Sequence, residues 1–166
     1  TLVVEDVLSV GDPKIADYKA FLPFINKYRH AHSKQENTDD NWPVYRNADA
    51  LLLLAECLVE QGRAADALPY INQVRNRAGL PDVASVTAEV IANERKHELA
   101  FENHRWYDLL RTGKAIEVMT AYGQYIKTID PELPERTYQI KQEYLLYPIP
   151  YRELQINDLL KQNQGY

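Results

Sequence analysis

The chain has 166 residues, 45% hydrophobic and 26% charged, and its 24 acidic against 19 basic side chains leave a net charge of −5. This is a globular composition with enough residues for a core. Its acidic balance argues against a nucleic-acid backbone or an anionic membrane surface as partner, and its single cysteine excludes an internal disulfide.

From the N-terminus, Thr1 to Val10 has an apolar flavour but neither a basic leader nor a cleavage site. Asp12-Pro13 marks a turn. Ala20 to Tyr28, interrupted by Pro23, reads as an extended or edge segment. His30 to Trp42 is a polar loop. His30 and His32 have chelating spacing, but no third ligand stands at a telling distance, so no metal is expected there.

Residues 47–80 form the clearest unit. Asn47 is a good N-cap and Asp49 sits where the helix dipole favours it. Leu51, Leu54, Ala55 and Leu58 follow helical spacing, while Leu52 and Leu53 add apolar surface on other faces, so wide burial is expected. Cys57 lies among these leucines and is expected to be a buried, inert thiol. Gly62 ends the helix. A second helix carries Ala67, Leu68, Ile71 and Val74 on one face, with Arg75 and Arg77 near its end and Gly79 and Pro81 closing it. Pro69 inside it predicts a kink or an irregular first turn. The pair has the roughly 34-residue period of a tetratricopeptide repeat.

Thr87 caps a third helix, with Val90, Ile91, Leu99 and Phe101 on its inner face. After a bend near Asn103, a short helix runs to about Gly113. Ala115 to Thr128 is a further helix interrupted by Gly123. Pro131 to Arg136 is a loop, Tyr138 to Tyr147 reads as a short strand ended by Pro148 and Pro150, and a short helix and coil complete the tail.

The most telling stretch is Glu94 to Gly113 (ERKHELAFENHRWYDLLRTG). Glu94, Glu98 and Glu102 recur every four residues, and Arg105, Asp108 and Arg111 continue at intervals of three. On a helix these are neighbours. Leu99, Phe101 and Trp106 are interleaved, which a purely solvated face does not need. The expectation is a partly buried structural ion-pair network of Glu94, Glu98, Glu102, Arg105, Asp108 and Arg111 that fixes the bend.

Catalytic signals are weak. Glu94-x-x-His97 is half of a di-iron motif with no second copy. No HExxH, G-x-S-x-G, P-loop or dinucleotide fingerprint occurs, so neither a catalytic residue nor a cofactor is expected. Twelve tyrosines against three phenylalanines suit sugar-binding surfaces and also ordinary half-buried positions. Trp42, Tyr45, Tyr122, Tyr125 and Tyr138 are the aromatic candidates for sugar stacking, whereas Trp106 reads as core.

Glu94–Gly113 resembles the ER-x-x-EL-A-F-E-x-x-RW-x-DL-x-R-x-G signature of the SusD/RagB family, the surface glycan-binding lipoproteins of Bacteroidetes. Arg46–Glu60 (RNADALLLLAECLVE) resembles that family's RYAD-x-LL-x-x-AEAL helix. Tyr144–Tyr166 resembles its closing motif, a PIP turn followed by N-x-x-L-x-QN-x-GY. Departures are Asn47 for the usual Tyr, Asn103-His104 where Gly is frequent, and Gln164 for Pro.

The resemblance implies a mainly α fold: a tetratricopeptide-like hairpin, further helices, long irregular loops and at most short strands. It implies a single C-terminal domain over residues 1–166 of a longer chain whose lipid anchor lies outside this sequence. It also implies non-catalytic oligosaccharide binding at the outer-membrane surface in polysaccharide utilisation, with delivery to a SusC-like TonB-dependent transporter. The family's glycan site is built largely from its N-terminal half, so no glycan-binding residue transfers to this chain. The competing reading is a tetratricopeptide-type protein-interaction module.

Overall fold

A computed structural model describes Ile25, Lys27, Tyr28 and residues 41–166. The expected turn at Asp12-Pro13, most of the Ala20–Tyr28 segment and the pair His30/His32 lie outside the described residues. The chain divides into two compact units, Thr1–Asn103 and His104–Tyr166. The described residues contain six α-helices and no strand, and no helix among them is long and apolar enough to cross a membrane.

In the first unit, α1 (Asn47–Glu60) and α2 (Ala64–Arg77) form an antiparallel hairpin, and α3 (Ala88–Glu98) packs on α1. Their core is Ala48, Leu52, Ala55 and Leu58 of α1, Ala67, Ile71 and Val74 of α2, Val86 from the connecting loop, and Ile91 of α3. Both hairpin helices end in the same way. Gly62 and Gly79 adopt φ +73, which lets Arg63 N–H reach the Leu58 carbonyl at 2.8 Å and Leu80 N–H reach that of Arg75 at 2.9 Å. This is the Schellman closure that satisfies carbonyls left over at a helix end.

Four details differ from the sequence expectation. Asn47 is the first helical residue rather than the cap. The cap position belongs to Arg46, whose backbone is extended and whose side chain makes no capping bond. Leu54 is 41% exposed and Cys57 is exposed: the contacts with α2 and α3 cover the Leu52–Ala55–Leu58 stripe, so the buried register is displaced from the one expected. Helix α2 runs unbroken through Pro69. Pro69 and Ala65, four residues earlier, are both exposed, so the carbonyl that loses its helical partner is open to water. Phe101 is 50% exposed rather than on the inner face of α3, because the helix stops at Glu98.

Thr87 caps α3 as expected, accepting from Val90 N–H at 3.2 Å. The loop before it is held by Asn72 of α2, whose amide bonds both Val83 N–H (2.9 Å) and the Val83 carbonyl (3.3 Å). Beyond α3, Phe101 and Asn103 take positive φ of 66 and 62. The bend read in the sequence is therefore two left-handed residues in one turn.

In the second unit, α4 (His104–Arg111) precedes α5 (Ala115–Ile129). Gly123 is buried within α5, and a Cβ placed on it would lie 2.5 Å from Tyr138 Cβ. The expected strand at Tyr138–Tyr147 is absent. Tyr138 has φ 63 and the chain turns there, with Ile140 N–H on the Tyr138 carbonyl at 3.0 Å. A 3-10 turn, Gln142–Leu145, follows. The tail forms α6 (Tyr151–Ile156).

Candidate functional site

The charged stretch that dominates the sequence is anchored, in the first unit, by cations from elsewhere in that unit. Arg46 donates Nε to Glu102 Oε2 at 2.7 Å and Nη2 to Glu102 Oε1 at 3.0 Å, a planar fork on one carboxylate. Its Nη1 reaches Glu98 Oε1 at 2.5 Å and its Nη2 the Glu98 carbonyl at 2.6 Å. Lys27 Nζ adds bonds to Glu102 Oε1 (2.5 Å), the Glu98 carbonyl (2.7 Å) and the Ala100 carbonyl (2.9 Å). These close the turn after α3, where helix-end carbonyls need partners.

The rest of α3 is tied to both hairpin helices. Arg75 donates to Glu94 Oε2 at 2.6 Å and to the Pro81 carbonyl at 2.9 Å. Arg77 reaches Glu98 Oε1 at 2.5 Å. Arg95 pairs with Asp49 at 2.7 Å, with both side chains almost wholly buried (4% and 3% exposed). Such a pair persists because each charge has its partner.

Burial penalises the charge on Glu102, but hydrogen bonds from Arg46 and Lys27 outweigh it and hold the carboxyl below the usual glutamate range. Burial likewise opposes the Arg46 charge, and its bonds to Glu102 and Glu98 raise its pKa in spite of that.

The remaining expected members lie in the second unit. Arg111 donates Nε to Asp108 Oδ1 at 2.9 Å within α4. Arg105 is half-buried and forms no ion pair among the described residues. Sequence reading passed over Lys27, Arg46, Asp49, Arg75 and Arg77. Arg75 and Arg77 stand there only near the end of the second helix, and Arg46 only as the first residue of the Arg46–Glu60 motif. Four cations, Lys27, Arg46, Arg75 and Arg77, ahead of three regularly spaced glutamates were the available signal.

None of these carboxylates stands ready as an acid or base. Glu94 is engaged by Arg75, and His97 is exposed with Nδ1 2.8 Å from the Asn93 carbonyl. The half di-iron motif therefore splits between a buried ion pair and the surface.

The closing motif also holds the backbone. Gln162 accepts from Ile149 N–H at 2.8 Å and donates to the Ile149 carbonyl at 2.9 Å. Ile149 lies between Pro148 and Pro150, which have no N–H to offer. Asn163 donates to the Tyr147 carbonyl at 2.7 Å, and Tyr166 O–H to that of Leu146 at 3.1 Å. Side-chain amides thus replace a neighbouring strand.

The aromatic candidates divide by unit. Trp42 stacks on Tyr28 with centroids 4.9 Å apart and an 11° interplanar angle, and Tyr28 O–H donates to the Phe101 carbonyl at 3.1 Å. Tyr45 is largely exposed. Tyr122 contacts both Tyr125 and Tyr138 in the second unit. Trp106 is half-buried.

Comparison with known proteins decides the family. The model of the SusD family matches residues 8–166. The chain belongs to the SusD family. It is 32% identical to the SusD-like protein P38 of Formosa agariphila over 86% of this chain and 28% of that protein. It is similar to a SusD homolog of Bacteroides thetaiotaomicron with TM-score 0.70 and 29% identity, covering 88% of this chain and 32% of the homolog. It is also similar to surface glycan-binding protein A of Bacteroides thetaiotaomicron in complex with laminarihexaose, with TM-score 0.58 and 32% identity over 76% and 26% of the two chains. The chain spans under a third of the length of the SusD-family relatives it matches. In this SusD-family chain, the glutamates of the signature pair with Arg46 of the second motif and with Lys27, Arg75 and Arg77 outside the motifs.

Proposed function

We propose that this chain is the C-terminal part of a longer lipoprotein that binds oligosaccharide without cleaving it at the bacterial outer-membrane surface and passes it to a SusC-like TonB-dependent transporter. The observation that carries the reading is the likeness to a surface glycan-binding protein whose structure holds laminarihexaose. The paired carboxylates agree with a non-catalytic role. A glycosidase needs one carboxyl free to give up a proton and one free to attack or to activate water, and Glu94, Glu98 and Glu102 are each held by cations.

The main glycan site is placed outside these 166 residues, which supply framework. Affinity electrophoresis of the protein as its gene encodes it, through gels containing laminarin or starch, tests the reading. Retardation without released reducing ends is expected; free migration through every polysaccharide overturns it. The protein-interaction reading draws on one observation, the exposed Leu54 and Cys57 on α1.

A further inference from the structure

Three tyrosines of the second unit meet at its surface. Tyr122 and Tyr125 stand one helical turn apart on α5 with ring centroids 6.4 Å apart. Tyr138 closes edge-on against Tyr122 at 5.3 Å and 86°. Tyr122 is still 46% exposed and Tyr125 59% exposed.

The arrangement is held from behind. Tyr138 occupies the left-handed region at φ 63, which bulky residues avoid. Its Cβ fills the space over Gly123 that any other residue would claim. The loop that carries it is tied down by Lys127 Nζ and Gln139 Nε2, which both donate to the Glu135 carbonyl. An unusual backbone and a glycine within a helix thus set one tyrosine edge against another, while the outer rings stay open to water. Filling a core would bury those rings.

The face of an aromatic ring is apolar and carries a negative quadrupole. The CH face of a pyranose matches it, and the phenol oxygens reach outward to hydroxyls. The net charge of −5 favours a neutral sugar over an acidic one. We propose that Tyr122 and Tyr125, braced by Tyr138, form a platform on which a pyranose ring of a neutral oligosaccharide stacks, a weak subsite within this chain. This rests on the glycan-binding reading above.

The test is a titration of the 166-residue chain with laminarihexaose and with maltohexaose, followed through the tyrosine ring C–H resonances by NMR. Those of Tyr122 and Tyr125 are expected to move, with half-saturation at about 1 mM. Tyr125→Ala is expected to abolish the shifts and Tyr125→Phe, which keeps the ring face, to retain them. Shifts that survive Tyr125→Ala, or that arise only elsewhere in the chain, overturn the platform and leave the glycan-binding reading standing. No shift anywhere at about 10 mM, some tenfold above that affinity, overturns the platform, including the case in which the rings dock a protein. The glycan-binding reading is then decided separately by gel retardation of the gene-encoded protein.

Discussion

Arg46 grips Glu102 with two parallel hydrogen bonds, Nε to Oε2 at 2.7 Å and Nη2 to Oε1 at 3.0 Å, across 56 residues of sequence. The fork joins the start of α1 to the turn after α3. Arg46→Ala removes the fork and, among the described residues, leaves Glu102 with Lys27 alone and Glu98 with Arg77 alone, in a site where neither carboxylate is well hydrated. A loss of about 3 kcal/mol is expected, the low end for a broken buried pair, because the Arg46 side chain keeps 25% of its surface exposed. Arg46→Lys keeps the charge and loses the fork, so it recovers only part of the loss. Urea denaturation followed by helical circular dichroism measures both.

The same contact sets an acid limb. The folded-state pKa of Glu102 lies below its ordinary value of 4.5. A depressed carboxyl contributes stability above its unfolded pKa, and that contribution fades as pH falls through the folded value. Stability should therefore hold between pH 5 and 7 and fall progressively below about pH 4.5, the ordinary glutamate value. Glu102→Gln should be less stable at pH 7 and show a flatter decline in acid. A parallel decline in wild type and variant contradicts this assignment.

Arg105 supplies the contrast. The spacing of the charged stretch makes it the natural partner for Glu102 and Asp108, yet it forms no ion pair among the described residues and is half-buried. Arg105→Ala is expected to lose under about 1 kcal/mol, as for a solvated charge. Chemical denaturation alongside Arg46→Ala should separate the two by at least about 2 kcal/mol, the gap between a solvated and a buried pair.

These cases show what the sequence carried. Local signals were legible. The Thr87 cap, the glycine ends at Gly62 and Gly79 and the bend near Asn103 each depend on residues within one turn, and each appears where sequence chemistry puts it. Faces were harder. Leu51 to Leu54 is an unbroken apolar run, so periodicity could not say that Leu52 is fully buried while Leu54 is exposed. Partners distant along the chain were illegible: helical spacing names neighbours on one helix, whereas the cations on Glu94, Glu98 and Glu102 come from Lys27, α1's cap position and α2. The loose alternation of Tyr138–Tyr147 read as a strand, but a left-handed Tyr138 and the 3-10 turn Gln142–Leu145 break the extended backbone a strand needs.

Gly123 is the residue of α5 with no tolerance for a side chain. A Cβ there meets Tyr138 Cβ at 2.5 Å and the Thr137 carbonyl oxygen at 3.4 Å. Gly123→Ala should raise the helix propensity of α5 and still destabilise the chain by about 1–3 kcal/mol through overpacking. Faster hydrogen exchange at Gln139 and Ile140, whose N–H groups close the turn at Tyr138, should accompany it. A stabilised Gly123→Ala variant contradicts the close approach.

The central claim is that these residues are framework, with their carboxylates locked in ion pairs and the principal sugar site outside them. Isothermal titration of the 166-residue chain against a panel of oligosaccharides that includes laminarihexaose tests it most directly. The account predicts no binding tighter than about millimolar. A micromolar oligosaccharide ligand for this chain alone would contradict it.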